Sequence, residues 1–112
     1  MDPSKLKDAG NKAFKEGKYD IAIGAYSYCL DAVAKETSSS SKVQKFKVLS
    51  NRSLCRCKIG DFNGALLDAL AAIEASPSWH KAHARRAAAH HGLGQDEEAI
   101  AAYGKAAIAS SS

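Results

Sequence analysis

Gly17, Ala22 and Tyr26 return as Gly60, Ala65 and Ala69, and again as Gly94, Ala99 and Tyr103. The second and third copies lie 34 residues apart; the first two lie 43 apart, the same period plus nine. A fixed period of that length, with a tight turn and small residues at set offsets, marks a stacked array of helical hairpins. One hairpin cannot bury its own apolar face, so each must stack on the next. The expectation is an all-α fold whose product is a grooved surface. At 112 residues the chain makes one domain, 1–112, with repeats at about 3–36, 46–79 and 80–112 and a loop insertion at about 37–45.

Within each copy the local signals agree. Ser4 is expected to cap a first helix running to about Glu16, and Tyr19 to Lys35 forms its partner after the Gly17-Lys18 turn. The run Ser38-Ser39-Ser40-Ser41 reads as loop, because short hydroxyl side chains compete for backbone hydrogen bonds. The second hairpin spans Lys42–Ile59 and Phe62–Ala75, turning at Gly60-Asp61. Ser76-Pro77 reads as a capping serine before a proline at the first helical position, opening Pro77–His91; Gln95–Ala109 follows, and the serine tail at 110–112 is expected to fray. Ala22, Ala65 and Ala99 permit close helix approach, and Tyr26 and Tyr103 supply bulk one turn later, where Ala69 leaves the site light. Ile100, Ala107 and Ile108 are expected to form an uncovered stripe, with weak homodimer formation or a fraying last helix as the outcome.

The net charge of +4 is modest, but its placement is not. Lys42, Lys45, Lys47, Arg52, Arg56 and Lys58 sit in a stretch with no acid, as do Lys81, Arg85 and Arg86. In the second and third repeats the acids gather on the side of the second helices, as Asp61, Asp68 and Glu74, then Asp96, Glu97 and Glu98. Such segregation suggests an anionic ligand on the first-helix side. No apolar run approaches the roughly 18 residues of a membrane span, and the N-terminus lacks a signal-peptide stretch, so a cytoplasmic location is expected. The odd cysteine count of Cys29, Cys55 and Cys57 fits a reducing compartment and helix packing.

The offsets resemble those of the tetratricopeptide repeat family. Ala9-Gly10-Asn11, Gly17-Lys18-Tyr19, Ala22-Ile23 and Tyr26 carry the likeness, with Gly60-Asp61-Phe62, Ala65-Leu66, Pro77, Gly94, Ala99-Ile100, Tyr103 and Ala106. The resemblance covers nearly the whole chain. It implies a right-handed superhelix of three antiparallel helix pairs, whose first helices line a concave groove. A narrower likeness is to the chaperone adaptors of that family, which carry a two-carboxylate clamp. Lys7 and Asn11 match its first element, Asn51 in Ser50-Asn51-Arg52-Ser53 its second, and Lys81 and Arg85 its third. The resemblance implies a co-chaperone adaptor that binds the Glu-Glu-Val-Asp type tail of a seventy- or ninety-kilodalton heat-shock chaperone, without catalysis or cofactor.

The chemistry is consistent with that transfer. Residues four apart share a helix face, so Lys7 with Asn11 and Lys81 with Arg85 are two-pronged donors. A C-terminal aspartate presents two carboxylates, which ammonium, guanidinium and amide donors satisfy. Charge-assisted bonds of roughly 1.5–3 kcal/mol each, less the ordering of a flexible tail, lead to an affinity of about micromolar. Phe14, Leu54 and Lys58 follow the clamp residues at one-turn spacings and are candidates for an apolar wall, equally well read for Phe14 and Leu54 as inter-repeat core. Lys58 and Arg86 are candidates for contacts to upstream acidic residues, or solvated side chains.

Other classes are weaker. His80 and His83 lie one turn apart with no carboxylate or thiol beside them, so no metal site is expected, and His83 falls at a packing position. Nucleic acid, or another polyanion or acidic peptide, is the alternative ligand, but Phe46 is the lone aromatic of the basic stretch at 37–60 and offers no base-stacking platform. No Ser, Cys or His stands in an activated arrangement, so an enzyme is not expected.

Overall fold

Gly17, Gly60 and Gly94 have φ of 74°, 84° and 75°, a left-handed conformation that glycine takes without steric cost. Each closes a helix in the same way. The residue after the glycine donates its N–H to a carbonyl five positions back: Lys18 to Ala13, Asp61 to Arg56 and Gln95 to His90, at 2.9, 2.8 and 2.9 Å. These three stops set the period.

The computed structural model describes residues 2–35 and 43–111. Its elements are α1 (Pro3–Lys15), α2 (Tyr19–Lys35), α3 (Lys45–Lys58), α4 (Phe62–Ala75), α5 (His80–Gly92) and α6 (Asp96–Ser111). Each odd helix packs antiparallel on the even helix that follows, α2 packs on α3, α4 on α5, and α3 also touches α5. The result is an all-α superhelix of three stacked pairs. The loop expected at Ser38–Ser41 lies outside the described residues, as does Ser112; the helix expected from Lys42 instead begins at Lys45, with Gln44 as its extended N-cap.

Three further boundaries differ from expectation for local reasons. Asp2 caps α1, its carboxylate accepting from the Ser4 N–H at 3.0 Å, with Pro3 inside the helix. The carboxylate outcompetes the Ser4 hydroxyl because it carries charge at the positive helix end. Pro77 does not open α5, which begins at His80 with Trp79 as an N-cap lacking a side-chain bond. Ser76 instead ends α4, its N–H bonded to the Ala72 carbonyl, and its own carbonyl accepts from Trp79 to make a turn. At the other end of α6, Ser110 and Ser111 continue the helix. Val43, assigned to the loop insertion, is buried with Ala13, Tyr26 and Cys55 in the core of the first hairpin.

Ala22, Ala65 and Ala99 are all buried, as close helix approach requires. The tyrosines are not alike. Tyr26 is 0% exposed, and its ring lies so near Gly10 that a Cβ there would come within 2.5 Å of the ring. Tyr103 is 49% exposed, against the expectation that it fills its hairpin. In the third hairpin Ala87 stands where Gly10 stands in the first, and the Tyr26 ring is also surrounded by Val48 and Cys55 of α3. In the middle hairpin the pair becomes Ser53 and Ala69, both buried, and the Ser53 hydroxyl donates to the Ala65 carbonyl at 2.8 Å.

The charge segregation also has a structural share. Asp68 is buried and accepts from Arg52 Nε and Nη2 at 2.9 and 2.7 Å and from Arg56 Nη1 at 3.0 Å. Arg52 reaches on to the Ser27 hydroxyl of α2 at 3.0 Å, stitching the first hairpin to the second. Two of the basic residues that suggested an anionic ligand are therefore neutralised within the fold. On α6, Ile100 and Ile108 are 71% and 72% exposed and Ala107 is exposed, the uncovered stripe that the sequence foretold.

Candidate functional site

The first helices of the pairs bring polar side chains together at one place. Gly10 admits the Tyr26 ring against α1, and the next residue, Asn11, then meets the phenol. Its Oδ1 accepts from the Tyr26 hydroxyl at 2.5 Å and from Asn51 Nδ2 of α3 at 3.4 Å. The two asparagines are 40 residues apart in sequence. Burial, with the nearby Cys55 thiol, pushes the Tyr26 phenol up to about 12, and the Asn51 amide facing its oxygen only partly offsets this. The phenol is thus a fixed hydrogen-bond donor at neutral pH.

Arg85 extends the cluster from α5. It lies beside Cys55, one turn beyond Asn51 on α3, and beside Cys57. Burial lowers its guanidinium from the usual arginine value, and the two sulfurs act in the opposite sense. No acid among the described residues pairs with Arg85, and its Nε is buried without a hydrogen-bond acceptor. A buried cationic donor left unsatisfied is costly and needs a reason. The thiols do not supply one as counter-charges, since burial raises both, Cys55 to about 11.

Lys7 lies one turn before Asn11 on α1, half-buried, and Lys81 lies one turn before Arg85 on α5, exposed. Neither forms an ion pair with a described residue. Lys58 is exposed seven residues beyond Asn51, and Leu54 is half-buried between them. Phe14 packs against the first-hairpin core and meets Tyr19 edge-on at 6.0 Å between ring centres, which gives it a structural role. Arg86 is not brought to this cluster. It stands about 100° around α5 from Arg85, donates toward His90 Nε2 at 3.4 Å and lines a crevice with Glu98, Ala101, Ala102 and Lys105.

His83, the packing position, is accounted for by burial. His83 is buried, with Nε2 held 2.7 Å from the Pro77 carbonyl. The feature the sequence concealed is Tyr26, read there as bulk alone. Its hydroxyl reaches the site because Asn11 directly follows Gly10, a coupling visible only once α1 and α2 are packed.

No family model matches the chain. Heat shock protein STI1 of Saccharomyces cerevisiae is 36% identical over 100 residues, 89% of this chain and 16% of that protein. The Hsp70-Hsp90 organizing protein of Triticum aestivum is 38% identical over 99 residues, 88% of this chain and 16% of its own length. The chain thus spans about one-sixth of these curated relatives. Among solved structures, the first TPR of Spaghetti (RPAP3), bound to the HSP90 peptide SRMEEVD, superposes with a TM-score of 0.83 at 31% identity, covering 96% of this chain and 79% of that one.

Proposed function

Because the chain belongs to the tetratricopeptide repeat family, we propose that its groove captures the acidic C-terminal tail of a heat-shock chaperone of the seventy- or ninety-kilodalton class. Lys7, Asn11, Asn51, Lys81 and Arg85 form the two-carboxylate clamp. The observation that carries this reading is Arg85: a desolvated guanidinium with an unsatisfied Nε and no acid partner among the described residues. An incoming carboxylate supplies the missing acceptor, and a charge-assisted bond in a shielded groove is stronger than its counterpart in water. Asn11 and Asn51 add neutral donors beside it, and Lys7 and Lys81 bring mobile positive charge to the second carboxylate. Leu54 and Lys58 border the same face of α3 and take the residues just upstream of the terminal aspartate. The chain acts as an adaptor in the cytoplasm and performs no catalysis, its thiols being held in their unreactive protonated form. A relative bound to an HSP90 tail peptide lends weight to this assignment.

Titration with the SRMEEVD peptide tests it. The free acid is expected to bind at about micromolar Kd, and Lys81→Ala, Arg85→Ala or amidation of the peptide C-terminus to weaken binding by at least about tenfold. Arg85→Ala should leave stability unchanged or improve it, because it removes a buried charge without breaking an ion pair. Equal affinity for the amidated peptide would overturn the clamp.

A further inference from the structure

We propose that the Tyr26 hydroxyl is a positioning group that fixes the polarity of the groove floor, turning the Asn11 amide so that its NH2 is offered to ligand and the site selects carboxylate oxygen over an amide. This deepens the tail-binding reading and rests on it for the identity of the ligand.

Donor and acceptor counts set the orientation of Asn11. An asparagine amide is two-faced, one oxygen acceptor and one nitrogen carrying two donors, and a free side chain presents either. At Asn11 two donors already converge on one atom: the Tyr26 hydroxyl and Asn51 Nδ2 both point at Oδ1. Reversing Asn11 alone would set its NH2 against the NH2 of Asn51 and leave the phenol proton without its acceptor. The phenol cannot relieve that conflict by ionising, given how far burial raises it. With the Asn51 NH2 turned toward Asn11, Asn11 is therefore held, and its Nδ2 makes no hydrogen bond to any described residue. Asn11 is half-buried, and Nδ2 is not among the buried unpaired atoms, so it stays accessible. Tyr26 itself is completely buried and never touches ligand.

Tyr26→Phe keeps the ring that packs on Gly10 and deletes only the donor. In isothermal titration with Met-Glu-Glu-Val-Asp as free acid and as C-terminal amide, the substitution is expected to weaken the free acid by about tenfold. It should also narrow the preference for acid over amide, with the helical circular dichroism signal retained. A double-mutant cycle separates positioning from general softening. If Tyr26 acts through Asn11, then Tyr26→Phe has no further effect on binding in an Asn11→Ala background. An equal loss in both backgrounds, or an unchanged acid-to-amide preference, would overturn the inference. A ligand-free readout stands beside these. In the NMR spectrum of the unsubstituted protein, the Asn11 Nδ2 protons should show no close contact to the Tyr26 ring edge, and their appearance there would refute the orientation. Failure of the unsubstituted protein to bind either peptide refutes the tail-binding reading instead, and the NMR result still decides the orientation.

Discussion

The first and third hairpins carry a tyrosine at the same repeat position and use it in opposite ways. Tyr26 is sealed between α1 and α2 and anchors the polar cluster; Tyr103 stands half in solvent on α6. The difference lies in what surrounds the ring. Tyr26 has Gly10 against one edge and Val48 and Cys55 of α3 around it, while the third hairpin carries Ala87 at the position of Gly10. A repeat letter thus specifies a position, while the residues packed around it decide how deeply the side chain is buried.

The largest effect that tests this contrast is truncation of each tyrosine. Tyr26→Ala should destabilise by about 3–5 kcal/mol, the cost of emptying an aromatic site in a packed core. Against a total of about 5–15 kcal/mol for a typical domain, that approaches unfolding. Tyr103→Ala should fall within about 0.5 kcal/mol. Urea denaturation of the two variants measures both, and comparable losses would break the contrast. The middle hairpin supplies a reference of somewhat smaller size. Asp68→Ala removes the shared buried acceptor of the half-buried Arg52 and Arg56, which keep only Ser27 and Asp61 among the described residues, and should cost up to about 3 kcal/mol.

Glycines sharpen the contrast at the next level. Gly10→Ala drives a Cβ into the Tyr26 ring and should cost about 1–3 kcal/mol by overpacking, despite alanine's better helix propensity. Gly104 of α6 has nothing within 4 Å of an added Cβ, so Gly104→Ala should stabilise by about 0.5–1 kcal/mol. The same substitution has opposite signs in the first and third hairpins, and thermal unfolding reads the sign directly. Two variants shifting Tm the same way would mean that the space around Gly10 relaxes.

How much of this the sequence held depends on whether the cause was local. The turns at Gly17, Gly60 and Gly94 and the bounds of α2 and α4 follow from residues adjacent in the chain. So does the shared helix face of Lys7 with Asn11 and of Lys81 with Arg85, since spacing on one helix settles it. What escaped was pairwise and long-range. Asp68 neutralises two arginines that looked available for ligand, Tyr103 stands half in solvent where Tyr26 is sealed, and Tyr26 reaches Asn11 across the hairpin. Arg86 looked equivalent to Arg85 in composition, yet one step around the helix sends it to His90. At Pro77 two local rules competed, and the turn through Ser76 won over a proline-led helix start.

The first hairpin and the residue packed against it should also set the alkaline limit of stability. Tyr26 is raised from 10.0 to about 12 and Cys55 from 9.0 to about 11, both chiefly by burial. Folded-state values above the unfolded ones mean that the folded chain holds these protons more tightly. Their contribution is fully present below about pH 9 and is lost as pH rises through 11 and then 12. Unfolding midpoints should therefore be flat from neutral pH to about 9 and fall beyond it. Tyr26→Phe removes the upper part of that fall and Cys55→Ala the lower part. A profile identical in both variants would place the alkaline transition elsewhere in the molecule.

The smallest expected effect bears on α6. Ile100 and Ile108 lie largely in water, so replacing both with serine removes almost no buried area and should change stability by no more than about 0.5 kcal/mol. Hydrogen exchange should likewise be faster along α6 than along α2, since α6 packs mainly on α5 among the described residues while α2 is held on both sides, by α1 and α3. Both measurements belong in a concentration series, because an apolar stripe of this kind becomes protected when two copies pair through it. Protection of α6 that rises with concentration, and is abolished by the double serine substitution, would show that the third hairpin acquires from a second copy the covering that α3 gives the first. Protection that is strong and independent of concentration would instead mean that α6 is as well buried as α2, and the contrast between the two hairpins would fail at its weakest point.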